Sequence, residues 1–366
     1  MTIKSINQVW TSWMRRVLEL ASLADGQTSP NPLVGAVILD VNNQLVGEGF
    51  HSLAGEPHAE VEALAQAGAL SKNGTLIVNL EPCCHQGKTP PCTEAILKAG
   101  LSRVVIGIKD PDPRVSGKGI SLLKKAGIEV ITGVLEKEAS YLNRAFIFRN
   151  RTGRSWGVLK WAMSLDGRIG LPNGSSKWIS GEISRNSVHC LRAKCDAVIV
   201  GGSTVRNDDP LLTSRGLAET EPLRVVFSSS LDLPSNAKIW KTDLAKTLIC
   251  YGPESNPELL ENLPNGPKRL PLSKSTPKKL LERLAEYGCN KVLWECGPSL
   301  ATTAINQNCV QELVLFIAPK LLGGVSAMTP LCDLGFSSME QVIKLSEIAS
   351  SRTGEDFVFK MVLGEY

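Results

Sequence analysis

The densest chemistry in this chain lies in His58-Ala59-Glu60 and in Glu81-Pro82-Cys83-Cys84-His85-Gln86-Gly87-Lys88-Thr89-Pro90-Pro91-Cys92. Of the four histidines, His51, His58 and His85 fall in this region and only His189 lies elsewhere. One imidazole and two thiolates form a donor set for a zinc ion that keeps its fourth position open for water. A carboxylate two residues after the histidine is too close to be a spare ligand, and it is placed to carry that water's protons. Each part alone has a plainer reading. A His-x-Glu on a helix is usually a partly exposed polar pair. A Cys-Cys-His-x6-Cys run also suits a closed structural zinc site, or reduced cysteines packed as small apolar residues.

The flanking elements favour the catalytic reading. Thr75-Leu76-Ile77-Val78-Asn79-Leu80 has the pattern of a buried strand, and Pro82 ends it just before the first thiol. Thr93 to Lys98 reads as a short helix closed by Ala99-Gly100. Both thiols then sit near a strand-to-helix junction, where the positive end of a helix dipole favours the metal-binding thiolate.

Water activated by a metal beside a carboxylate proton carrier resembles the zinc deaminases of nucleobases. Common cytidine and tRNA-adenosine deaminases carry Pro-Cys-x-x-Cys, whereas eight residues separate Cys83 from Cys92 here. That longer insert resembles the bifunctional riboflavin-biosynthesis deaminase/reductase family. The likeness covers about residues 10–135, through Thr28-Ser29-Pro30-Asn31-Pro32-Leu33-Val34-Gly35, His51, Gly55-x-Pro57-His58-Ala59-Glu60-Val61, the cysteine loop and Asp110-Pro111-Asp112-Pro113. The resemblance implies His58, Cys83 and Cys92 as zinc ligands and Glu60 as the proton shuttle. It implies substrate contacts at Asn31, His51, His85, Lys88, Thr89 and Asp110. Cys84 stands where serine is frequent in the family and is expected to be a bystander. Asp112 stands where asparagine is usual.

Composition agrees with a two-domain enzyme. The 366 residues exceed one ordinary core. The net charge of +4, from 40 basic and 36 acidic residues with no basic run, argues against a nucleic-acid surface and leaves small phosphorylated substrates easy to accommodate. No stretch has the length of a membrane span, and Met1 to Trp10 lacks the apolar core of a secretory signal. Ten cysteines without a compact extracellular framework point to a reducing compartment, with the cytoplasm as the expectation. A homo-oligomer is left open.

Along the first half, apolar spacing predicts helices over Trp13 to Leu23, Val61 to Ala69 (beginning near His58), Leu122 to Ala126 and Glu136 to Phe148. Strands are expected at Val34–Leu39, Leu45–Gly47 in a hairpin around Asn42-Asn43, Val104–Ile108 and Ile128–Ile131. Such alternation predicts an α/β/α sandwich, and the resemblance specifies a cytidine-deaminase-like one. A polar stretch at Asn150-Arg151-Thr152-Gly153-Arg154 places a boundary, giving a deaminase domain over 1–150 and a second domain over 151–366.

That second half opens a new series of strands at Val158–Ala162, Ala197–Val200, Arg224–Phe227, Leu248–Cys250, Val292–Glu295 and Leu313–Phe316. Gly252 to Lys279, rich in proline, asparagine and serine, is expected to be surface loop. No Gly-x-Gly-x-x-Gly is present. Two glycine-rich junctions do follow strands, Val200-Gly201-Gly202-Ser203-Thr204-Val205 and Glu295-Cys296-Gly297-Pro298-Ser299-Leu300. Such turns either let backbone amides approach a phosphate or are plain turns.

These pieces resemble the reductase half of the same family, which implies a dihydrofolate-reductase-like α/β fold. They are Lys160-x-Ala162-x-Ser164-Leu165-Asp166-Gly167, Ser176-Lys177-Trp178-Ile179-Ser180, His189-x-Leu191-Arg192-Ala193, Thr204-Val205-x-x-Asp208-Asp209-Pro210-x-Leu212-Thr213-x-Arg215 and Ala318-Pro319-Lys320. The resemblance implies NADPH contacts at Ala162, Trp178, Thr204, Asp208, Ser229 and the loop Gly297, Pro298, Ser299, Leu300, Ala301, Thr302 and Thr303. Substrate contacts would fall at Ser176, Arg192, Leu211, Arg215 and Glu295, with the two guanidinium forks suited to a ribose phosphate. Ser180, Cys296 and Ser228 stand where threonine, glycine and aspartate are usual. The resulting expectation is a bifunctional enzyme that deaminates a diaminopyrimidinone ribosyl phosphate with zinc and then reduces its ribosyl group with NADPH. The alternatives are a zinc deaminase with a non-catalytic C-terminal scaffold, and a non-catalytic zinc-binding module, which would have no use for Glu60.

Overall fold

The computed structural model describes residues 3–86, 90–112 and 116–364, in two compact units, Met1–Thr152 and Gly153–Tyr366. Among the described residues no helix is long and apolar enough to cross a membrane.

The first unit contains α1 (Ile3–Ser22), β1 (Gly35–Leu39), β2 (Leu45–Phe50), α2 (Ala59–Ala67), β3 (Thr75–Leu80) and α3 (Cys92–Ala99). It continues with β4 (Arg103–Ile108), α4 (Lys118–Lys125), β5 (Glu129–Thr132), α5 (Glu136–Leu142) and α6 (Arg144–Thr152). Its sheet runs β2-β1-β3-β4-β5, with β1 antiparallel to both neighbours and β3, β4 and β5 parallel. The two-residue period of the strands divides the apolar side chains between two faces. Val37, Leu39, Ile77 and Val105 meet Trp10, Met14, Val17 and Leu20 of α1. Ala36, Ile38, Leu76, Val78, Val104 and Ile106 meet α2, α3 and α4 through Ala63, Ile96 and Leu123. The result is the α/β/α sandwich that the alternation predicts. Every residue of β3 is buried, as a central strand covered on both faces must be.

One long helix was expected over Glu136 to Phe148, but the chain breaks it at Asn143. That side chain is buried and turns to Leu33, accepting from its N–H at 2.9 Å and donating to its carbonyl at 2.9 Å. Asn79 on β3 satisfies the neighbouring backbone, accepting from Gly35 N–H and donating to Leu33 carbonyl, each at 2.9 Å. Two buried amides therefore hold the segment that follows Asn31.

The second unit contains β6 (Trp156–Ser164), α7 (Glu182–Ala193), β7 (Ala197–Gly201), α8 (Gly202–Asp208), β8 (Leu223–Phe227), β9 (Thr247–Tyr251) and β10 (Lys268–Pro271). After them come α9 (Pro277–Glu286), β11 (Lys291–Trp294), α10 (Pro298–Asn306), β12 (Glu312–Ala318), β13 (Leu345–Thr353) and β14 (Asp356–Leu363). The sheet order is β10-β9-β8-β7-β11-β6-β12-β14-β13; the first seven strands are parallel, and β14 and β13 add an antiparallel hairpin at one edge. Leu159, Ile199, Val225, Leu248, Leu280, Leu284, Trp294 and Leu313 belong to an apolar cluster on this sheet. The expected surface loop over Gly252 to Lys279 is in part ordered structure. It holds a 3₁₀ turn at Pro257–Asn262, the edge strand β10 and the start of α9, where Thr276 caps the helix by accepting from Lys279 N–H at 3.2 Å.

Candidate active sites in the two units

In the first unit three donors converge from three elements. His58 is the residue just before α2, Cys83 follows β3 and Cys92 is the first residue of α3. His58 Nδ1 lies 3.1 Å from Cys92 Sγ and 3.6 Å from Cys83 Sγ, and all three donor atoms lie within 4.8 Å of one another. Bonds of about 2.3 Å to sulfur and about 2.0 Å to nitrogen, at a tetrahedral angle, put such donors roughly 3.5–3.8 Å apart. The set therefore fits zinc. Cys84 is not a member of it. The Cys92 backbone N–H points at Cys83 Sγ at 3.2 Å, so the start of α3 supports a thiolate there. Cys83 is held well below the usual thiol range, first by hydrogen bonding from Cys92 and then by His58; Cys92 is pushed up in return. Behind Cys83, a Cβ on Gly119 would lie 2.3 Å from the Pro82 carbonyl oxygen, so glycine lets α4 close on the cysteine loop.

A cavity of about 300 Å³ opens beside the cluster. Its lining includes His58, Glu60, Cys83, Asn31, His51, His85 and Asp110. Glu60, in the first turn of α2, is buried, and burial followed by the charge of Cys83 raises its carboxyl above the usual range. A carboxyl raised in this way holds a proton more readily than an ordinary carboxylate, which suits a proton carrier. His51 Nδ1 lies 3.0 Å from the Pro57 carbonyl and Nε2 lies 2.9 Å from Asn31 Nδ2. That pairing assigns the proton to Nδ1 and leaves Nε2 as acceptor, and burial favours the neutral ring. His85 Nδ1 is shielded from solvent without a hydrogen-bond partner, which leaves it a polar atom for a ligand to satisfy. Burial pushes Asp110 up to about 6. Lys88 and Thr89 lie outside the described residues.

Sequence reasoning passed over Glu81, whose buried carboxylate accepts from the N–H groups of Asp110, Gly117 and Ile120 and so ties the Asp110 loop to β3. It also passed over Phe146, Arg149 and Asn150 of α6, which line the cavity. The Cys-flanked motifs gave no signal for these, because α6 is distant in sequence.

In the second unit, β8, β7, β11 and β6 are parallel neighbours, so the residues at their carboxyl ends share one edge of the sheet. Ser229 follows β8, Thr204 and Asp208 lie on α8 after β7, Glu295 and Gly297 follow β11, and Ala162 lies near the end of β6. Such an edge is where open α/β sheets hold nucleotides. A Cβ on Gly297 would lie 4.0 Å from Ser203 Oγ and one on Gly201 would lie 3.5 Å from Leu300 Cδ2, so the two glycine junctions are neighbours at that edge. Pro298 to Thr303 form the first turns of α10, with Thr302 Oγ1 accepting from Cys332 N–H at 2.8 Å. Cys296 packs on the apolar cluster, and burial raises its thiol to about 12. Ser228 is buried and accepts from Leu231 N–H at 3.1 Å. Trp178 is exposed, with Arg185 stacked 4.5 Å over its ring, and Ser176 lies two residues before it.

Arg192 and Glu295 are paired with each other, and Arg192 Nη1 also donates to the Thr213 carbonyl at 3.1 Å. The segment from Leu211 to Arg215 is fixed by groups that the sequence did not single out. Buried Arg224 donates to the Leu211 carbonyl at 3.2 Å, and Glu221 accepts from the N–H groups of Ser214 and Gly216 on either side of Arg215. Arg215 itself is exposed.

Comparison with known proteins agrees with both halves. Residues 8–108 match the cytidine and deoxycytidylate deaminase zinc-binding region, and residues 155–359 match the RibD C-terminal domain. The riboflavin biosynthesis protein RibD of Synechocystis is 49% identical over 94% of this chain and 94% of its own length. The chain belongs to the RibD family. The structure of Acinetobacter baumannii RibD, form 1, is similar with a TM-score of 0.89 at 37% identity, covering 98% of this chain and 100% of that one. A Thermotoga maritima structure described as a diaminohydroxyphosphoribosylaminopyrimidine deaminase/5-amino-6-(5-phosphoribosylamino)uracil reductase is similar with a TM-score of 0.87 at 32% identity, over 98% and 99% of the two chains. The chain is a bifunctional enzyme of riboflavin biosynthesis, a deaminase joined to a reductase, with zinc and NADPH as its cofactors.

Proposed function

We propose that the first unit deaminates 2,5-diamino-6-ribosylamino-4(3H)-pyrimidinone 5′-phosphate. The second then reduces the ribosyl group of 5-amino-6-(5-phosphoribosylamino)uracil to ribityl. The observation that carries the first half is the convergence of His58 Nδ1, Cys83 Sγ and Cys92 Sγ beside buried Glu60 in one cavity. His58, Cys83 and Cys92 hold the metal, which when bound supplies water activated at neutral pH. Glu60 would move protons through its carboxyl to the departing amine, so that ammonia leaves and the ring carbon, having taken up water, becomes a carbonyl. His51 as a neutral ring, fixed by Asn31, together with His85 and Asp110, orients the pyrimidine.

In the second unit, Ala162, Trp178, Thr204, Asp208, Ser229 and the Gly297–Thr303 turn hold NADPH. The dinucleotide, when bound, would supply a hydride to the ribosyl C1′; the C1′–O4′ bond breaks and O4′ takes up a proton from water, which opens the sugar to the ribityl chain. Ser176, Arg192, Leu211, Arg215 and Glu295 contact the substrate, with Arg192 and Glu295 paired to each other. A non-catalytic scaffold is not favoured for this unit, because it matches the RibD C-terminal domain over 155–359. Ten cysteines in the sequence without a compact extracellular framework support the cytoplasm as the site of action. Ammonia release and NADPH oxidation, assayed separately on the purified protein with each substrate supplied, test this reading. Activity in only one assay would remove the other half.

A further inference from the structure

We propose that Arg149 recognises the 5′-phosphate of the deaminase substrate. This rests on the reading of the first unit as a deaminase of a phosphorylated ribosylaminopyrimidine. A phosphate monoester brings about −1.5 to −2 charges at neutral pH. The described lining of the cavity carries five carboxyl groups, Glu56, Glu60, Glu81, Asp110 and Asp112. An acidic wall of that kind repels a dianion unless a cation is set into it. Among the described lining residues Arg149 is the one lysine or arginine.

Its placement suits the task. Phe146, Arg149 and Asn150 all line the cavity, and on α6 they stand three and four residues apart, which puts them on one helix face. Arg149 Nη1 donates to the Pro30 carbonyl at 3.3 Å, which aims the guanidinium beside Asn31. Arg149 is half-buried, so a phosphate beside it is screened less than at an open surface. A guanidinium fork matches phosphate oxygens in two-point geometry, which an ammonium does not. The pyrimidine would lie toward the His58, Cys83 and Cys92 cluster and the ribose phosphate toward α6.

The test measures deamination by the full-length zinc enzyme with the 5′-phosphate and with the dephosphorylated nucleoside, for the unaltered chain, Arg149→Ala and Arg149→Lys. Arg149→Ala is expected to raise KM for the phosphorylated form by about 10–100-fold, the effect of losing a charged hydrogen bond, with kcat within about twofold. KM for the nucleoside should stay unchanged, Arg149→Lys should recover part of the preference, and the reductase rate of each variant should show that the chain is folded. An equal change for both substrates, or none, overturns the proposal. So does loss of phosphate preference in Lys88→Ala but not in Arg149→Ala. If the unaltered enzyme deaminates neither form, the functional reading fails and the proposal fails with it.

Discussion

Arg192 grips Glu295 with two parallel hydrogen bonds, Nε to Oε1 at 2.6 Å and Nη2 to Oε2 at 3.0 Å, and both side chains are nearly buried. A fork-to-fork pair of this kind orients as well as attracts. It joins α7 to the carboxyl end of β11, and through Thr213 it reaches the segment that carries Arg215.

A buried charge without its partner is costly. Burial raises the Glu295 carboxyl, but the charge and hydrogen bonds of Arg192 outweigh it, and the net direction is downward. A carboxyl whose folded value lies below its unfolded value, about 4.3, stabilises the fold above that pH and loses the contribution as pH falls through the folded value. Glu295→Gln is therefore expected to lower stability at pH 7 by about 3–5 kcal/mol. Urea unfolding at a series of pH values should show the gap to the unaltered chain narrowing below about pH 4. A gap that is constant across that range would mean that the charge is not what Glu295 contributes.

Glu60→Gln keeps the shape of the side chain and removes its ability to cycle a proton. Ammonia release should fall by about 10²–10⁴-fold while zinc content stays near one ion per chain. Near-normal release at full zinc content would remove Glu60 from the chemistry.

The three cysteines of the loop should separate cleanly. Cys83→Ser or Cys92→Ser is expected to lose zinc, because a hydroxyl is a poor soft ligand, whereas Cys84→Ser should keep it. Metal analysis of the three purified variants decides this. Loss of zinc in Cys84→Ser alone would require a different ligand set.

The parts of the enzyme that were legible in the sequence share a cause: their signals are local. Thr75 to Leu80 is mostly apolar, with Leu76, Ile77 and Val78 in a run, and is followed by Pro82; the strand formed there covers those residues. His58, Cys83 and Cys92 were readable because donor type and short spacing restrict what such residues do. The break at Asn143 was not readable, since it arises from pairing with Leu33, 110 positions away. Strand β13, Leu345–Thr353, carries three serines, one glutamate and one arginine and lacks apolar alternation, because it is an edge strand paired only with β14. Lys268–Pro271 is likewise a short edge strand that ends in proline. Arg149 and Glu221 act through elements that carry no motif of their own.

Two separate sites are the centre of this account, since the candidate zinc ligands all precede residue 93 and the candidate dinucleotide positions all follow residue 155. The most direct measurement assays ammonia release and NADPH oxidation on the same samples, with the deaminated intermediate supplied for the second. Removing zinc with a chelator should abolish ammonia release and leave NADPH oxidation intact. Arg215→Ala should weaken reduction by loss of a charged contact to the substrate phosphate and leave deamination nearly unchanged. If zinc removal and Arg215→Ala each damage both activities equally in folded protein, the two-site account is contradicted.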